Sequence, residues 1–225
     1  MTLRAAPKVA LGKRTAPASV PARLYLLACD PTTGRLAGGS RLGLVLRAAA
    51  LVDLQFSGHL VDDNGRVAVK TGPTPADPVL AGVLEGIGAS GPRKWGYWVG
   101  RRPRAMVRDV RDELVRSQVI RVEPYRRYGV VPAERITVRQ PLLRRQLLQA
   151  ATDTLRPARL VTRVDLADAA LAVLAATGDL RPILSKDQRT RHKDRLAQLA
   201  VRVGPVVPAL RKAIQHQSAA ASSGG

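Results

Sequence analysis

The run LGLVLRAAALVDLQF, residues 42–56, is apolar on nearly every face that a helix could present. A helix of that kind cannot lie on a surface, so other elements must wrap it. It predicts a domain built around one central buried helix that ends near Ser57 and Gly58. Arg47 and Asp53 interrupt the run, and it falls short of the ~20 residues that span a bilayer.

The wrapping elements read as follows. The loop GPTPADP ends in a helix start, with Asp77 as N-cap and Pro78 at the first position, and Leu80, Val83, Leu84 and Ile87 follow on one face. A polar helix runs roughly from Pro103 to Gln118, with Val107, Val110 and Leu114 inward and Arg104, Arg108 and Arg111 sharing another side. Further helices are expected over 140–152 (Leu143, Leu147 and Ala150 together), 165–177 (closed by a left-handed Gly178), 187–203 and 205–215. Asn64 and Gly65 predict a primed turn within HLVDDNGRVAV, and residues 119–139 read as a second hairpin turning at Pro132, Ala133 and Glu134. RLYLLAC, residues 23–29, is either a short strand or a helix end, and Trp95 and Trp98 fall in a linker.

With 3% aromatic and 45% hydrophobic residues, the core has to be made of Leu, Val, Ile and Ala, a mix that favours helices. The expected class is therefore mainly α: a compact single-domain helical bundle with a central buried helix and two small β-hairpins. Its span is 23–215. Residues 1–22 read as a disordered basic arm without the apolar stretch of a secretory signal, and 216–225 as a flexible tail.

A net charge of +20 draws polyanions, which leaves nucleic acid and acidic lipid as the two candidate partners. Cys29 is the only cysteine, so an intramolecular disulfide and a thiolate metal cluster are excluded and a reducing cytosol fits. His59, His192 and His216 are scattered and read as surface side chains. Asp62 and Asp63 read as turn formers, and Asp109, Asp112 and Glu113 as partners of surface arginines. With no phosphate loop and no dinucleotide fingerprint, the expectation is a binding protein rather than an enzyme, with no cofactor and no metal.

Arg47 keeps its charge inside an apolar helix, so it must meet an anion. Two readings stay open. One is an internal ion pair with a carboxylate such as Asp53, which at a spacing of six cannot face it on the same helix. The other is a phosphate site near the surface. Arg104, Arg108 and Arg111 likewise form either a solvated face paired with Asp112 and Glu113 or part of such a site.

In order along the chain, LYLLACDPTTG, LVLRAAALVDLQFSGHLVDDNGRV, PTPADPVLAGVLEGI, RDVRDELVRSQVIRVE and VVPAERITVRQP resemble the motif series of the Golgi phosphoprotein 3 family, from about Arg23 to Ile214. Eukaryotic members of that family bind phosphatidylinositol 4-phosphate on Golgi membranes. It also has many bacterial relatives, and the dominance of Arg over Lys beside abundant Ala, Gly and Pro fits GC-rich bacterial coding. The resemblance implies a helical domain that holds a lipid phosphate with arginines. Arg47 matches the family's central-helix arginine. The local motif RDVR puts Arg108 and Arg111 on its arginine pair, whereas an ungapped count back from LVRSQVI puts Arg104 there, with Val107 opposite the second. The family's membrane-inserting tryptophan has no counterpart, Gly38 standing in its place, and Arg35 and Arg41 are expected to supply attraction. The family's second hairpin mediates self-association, which points to Tyr125, Tyr128, Val130 and Val131 as a homo-oligomer contact.

The expected function is that of a peripheral protein on the cytoplasmic face of a membrane, binding anionic headgroups, a phosphoinositide in particular. The alternative is a nucleic-acid-binding protein whose basic stretch 101–111 enters a groove, against which stands the scarcity of aromatics that stack on single strands. A scaffold for acidic protein tails is a third reading.

Overall fold

A computed structural model describes residues 19–127 and 130–222. The order is α1 (Val20–Ala28), α2 (Leu42–Phe56), β1 (Leu60–Asp63), β2 (Arg66–Val69), α3 (Pro78–Gly88), β3 (Arg93–Lys94), α4 (Trp95–Gly100), α5 (Pro103–Arg116), β4 (Ile120–Arg127), β5 (Val131–Val138), α6 (Pro141–Asp153), α7 (Leu166–Thr177), α8 (Lys186–Arg191), α9 (Lys193–Val203) and α10 (Val206–Ser222). The mainly α class holds. The apolar run is α2, with the expected bounds. It packs against α1, α3, α4, α5, α7 and α10, so its buried side chains, Leu46 and Leu51 among them, meet partners on all sides. Truncating one such leucine to alanine would cost about 2–5 kcal/mol.

Two small residues set how closely the neighbours approach. A Cβ on Gly43 would lie 2.2 Å from the Pro103 carbonyl oxygen, so α5 can begin directly against α2. A Cβ on Gly178 would lie 2.3 Å from Val45 Cγ2. Gly178 itself has a φ of −84°, and the left-handed residue after α7 is Asp179 at +56°. The glycine is there for space, not for the left-handed cap expected of it.

Other expectations need adjusting. Residues 23–28 belong to a helix that begins at Val20, where Pro21 can occupy the first turn and the Val20 amide donates to Asp53 Oδ2 at 2.7 Å, and Cys29 is its extended C-cap, bridged to Leu36. Helix α1 thus starts inside the stretch read as the arm. Residues 1–18 lie outside the described residues. The linker with two tryptophans is β3 followed by the short helix α4, whose Trp95 and Trp98 are core. β3 pairs with β2, so the Asn64–Gly65 hairpin grows into a three-stranded antiparallel sheet in the order β1-β2-β3. The second hairpin pairs Ile120 with Val138 and Arg127 with Val131, which places Pro132, Ala133 and Glu134 within β5 instead of at the turn. The 187–203 helix breaks at His192 into α8 and α9, after a Ser185–Gln188 capping box. The proposed tail is helical to Ser222, and Gln217 donates to the Ser40 carbonyl at 3.2 Å.

Candidate anion site at the central helix

Arg47 lies on the most enclosed helix of the fold and is 9% exposed. Its Nε donates to the carbonyl oxygen of Trp98, the last turn of α4, at 3.1 Å. The other guanidinium hydrogens remain for a ligand. No carboxylate forms an ion pair with Arg47 among the described residues. Asp53, the internal partner considered above, instead accepts the Val20 amide. Burial pulls the Arg47 pKa down to about 10; Arg101 and Arg102 push the same way and Asp109 opposes them. The group stays charged at neutral pH, and a second negative charge nearby would stabilise it.

Arg47 opens into a recess of about 470 Å³ between α3 and α5. Arg101, Arg102 and Arg116 also line it, with Asp109, Asp112 and Glu113. The gross charge of the wall misleads, because some of these groups are already paired. Arg116 bonds Glu113, and Asp112 is held by Arg111 at 3.0 Å. What remains is Arg47, Arg101 and Arg102 against Asp109, an excess of positive charge in a partly dehydrated setting. On the opposite wall Gly82 and Gly86 of α3 carry no side chain, and a Cβ on either would meet nothing within 4 Å. The space is left open by composition.

Arg101 is steadied by aromatic rings. Its guanidinium lies 5.5 Å from the Trp98 ring centre and 5.7 Å from that of Tyr97, and it donates to the Tyr97 hydroxyl. Arg102 sits at φ +50° and ψ +50° as the N-cap of α5, immediately before Pro103. A left-handed arginine carries about 1–2 kcal/mol of steric cost, and such strain gathers where a side chain has to be aimed.

A family model for Golgi phosphoprotein 3 matches residues 20–217, nearly the whole of the chain. The chain belongs to the Golgi phosphoprotein 3 family. Comparison with curated proteins returns no match. Membership in the Golgi phosphoprotein 3 family is consistent with lipid binding in a general sense. No helix among the described residues is long and apolar enough to cross a membrane.

Against that family pattern, the expected site residues divide. Arg47 is at the recess. Arg104 and Arg108 are exposed on α5 but do not line it, and Arg111 is committed to Asp112 and, at 2.9 Å, to Glu134 of β5. The face of α5 that meets the recess runs through Arg102, Ala105, Asp109, Asp112 and Arg116, about 100° round the helix from the expected one. Arg35 is exposed and away from the recess, and Arg41 borders a separate hollow with Asp179 and Arg181. Tyr125 is 38% exposed and Val130, beside the hairpin tip, 72% exposed. Tyr128 and the side chain of Val131 lie outside the described residues. His59 is half-buried and bridges Ser57 Oγ and the Pro73 carbonyl, while His216 is exposed. The expectations missed Arg101, Arg102 and Arg116. The signal was WGYW two residues before RRP: aromatics able to seat a guanidinium, then a proline that fixes where α5 begins.

Proposed function

We propose that this protein docks on membrane surfaces by seating the phosphate of an anionic lipid headgroup in the Arg47 recess. The observation that carries the reading is Arg47 itself: a buried cation, held at Nε by the Trp98 carbonyl, without a carboxylate partner, facing an opening whose unpaired neighbours are Arg101 and Arg102. A phosphate would accept charge-assisted bonds from guanidiniums on α2 and on the α4–α5 junction together. The surrounding positive field would supply reversible, salt-sensitive attraction of about 1 kcal/mol for each basic side chain near the surface. In the narrower form of the proposal the headgroup is a phosphoinositide resembling phosphatidylinositol 4-phosphate, and the protein acts at the cytoplasmic face by binding, not catalysis. The exposed β4–β5 hairpin is the surface we assign to a second copy of the chain.

Flotation with vesicles of phosphatidylcholine alone, with added phosphatidylserine, and with added phosphatidylinositol 4-phosphate tests the reading, beside a duplex DNA titration at about 0.15 M salt. Binding to acidic vesicles that Arg47→Ala weakens about tenfold or more is expected. Binding to DNA with no flotation on any acidic vesicle would remove the lipid reading, and equal binding to both acidic vesicles would remove the phosphoinositide form.

A further inference from the structure

A second recess, of about 380 Å³, lies where β5, the first turn of α6 and the turn after α1 meet. Its charged lining residues are Arg135, Arg144 and Arg145, and no carboxylate lines it, in contrast to the mixed wall around Arg47. Arg144 is the informative one. It is 9% exposed, and it donates from Nε to the Leu26 carbonyl and from Nη2 to the Leu27 carbonyl, both at 3.3 Å. Those carbonyls belong to the last turn of α1, so the guanidinium covers an otherwise open helix end. Its Nη1 hydrogens and one on Nη2 remain for another acceptor. Asp30, whose charge Arg144 favours, uses Oδ1 to hold the Thr32 and Thr33 amides at 2.8 and 3.0 Å.

Two further features point the same way. α6 starts at Pro141, a lining residue, with no side-chain cap on its first turn, so its amides and dipole favour a negative charge there. Thr32 and Thr137 line the recess and bring hydroxyl groups able to donate. Arg135, Arg144 and Arg145 line the same recess, so an anion bound there would be attracted by all three. We propose that this recess is a second anion site, holding one tetrahedral phosphate group among Arg135, Arg144 and Arg145, independently of the Arg47 recess. The phosphate comes either from a soluble ligand or from a lipid headgroup. Leu142, 69% exposed next to Pro141, is the reason vesicles form one arm of the test.

The full chain carrying Arg47→Ala weakens the first recess by removing its buried cation, and calorimetric titration with inorganic phosphate then reads the second. Binding is expected to persist in that variant and to weaken about tenfold or more when Arg135→Ala and Arg145→Ala are added. Both arginines are exposed, so the test does not depend on Arg144, whose removal would uncap α1. Vesicles of phosphatidylcholine with phosphatidic acid separate the sources: a further loss of vesicle binding in the triple variant relative to the Arg47→Ala chain assigns the phosphate to lipid, and equal vesicle binding by the two assigns it to a soluble ligand. No phosphate binding in the Arg47→Ala chain, or equal binding with and without the added pair, overturns the site.

Discussion

Gly178 and Asp53 show how single residues are constrained by α2. A methyl group at Gly178 has to displace Val45 in a packed interior, so Gly178→Ala should lower stability by about 1–3 kcal/mol although alanine is the better helix former. A fall in the urea midpoint with an unchanged slope would record it. Burial raises the Asp53 carboxyl above its ordinary pKa, against the Val20 amide that favours its charged form, with Asp77, Arg23 and His59 nearby. The folded chain therefore holds this proton more tightly than the unfolded one. Stability from the neutral form is complete below the unfolded pKa and is lost as the pH climbs through the raised value. Asp53→Asn keeps an acceptor for Val20 and cannot ionise. Its urea midpoint should fall less than that of the parent across the window just above the ordinary carboxylate pKa. Asp168 is raised as well, so the difference between the two proteins is the quantity to read.

Among the elements, the α4–α5 junction and the outer side of α5 present two different basic surfaces. Replacing Arg101 and Arg102 with alanine removes the same charge as replacing Arg104 and Arg108. Diffuse attraction predicts equal effects on flotation from acidic vesicles, whereas the recess predicts about a tenfold greater loss for the first pair. Much of the architecture could be read from sequence because local chemistry decides it: the all-round apolar α2, the Asn64–Gly65 turn, and the Asp77 cap with bonds to Val79 and Leu80. Which face of α5 turns towards Arg47 could not. Spacing groups residues on a side of a helix, but tertiary packing chooses the direction of that side, here with Met106, Val110 and Leu114 buried. The same reason hid Arg144: the expected inner face of Leu143, Leu147 and Ala150 is turned slightly, so that Arg144, Leu147 and Ala151 are buried. Pro132 suggested a turn, yet strand β5 contains it, since pairing along the whole hairpin outweighs one missing donor.

At the scale of the whole molecule, a charge of +20 will hold the chain to any polyanion at low salt, so specific docking has to be measured near physiological ionic strength. Self-association through the β4–β5 hairpin should be concentration-dependent and lost in Val130→Asp. Sedimentation velocity decides this, and a parent protein that stays monomeric throughout would exclude the contact. Arg47 belongs to the helix around which the rest of the fold is assembled, and its Nε is tethered before any ligand arrives. A visiting headgroup would therefore not have to freeze a floppy side chain in order to be held. Little rotational freedom is surrendered on capture, and selectivity would come from the shape of a preset socket, with no closing movement required of the protein.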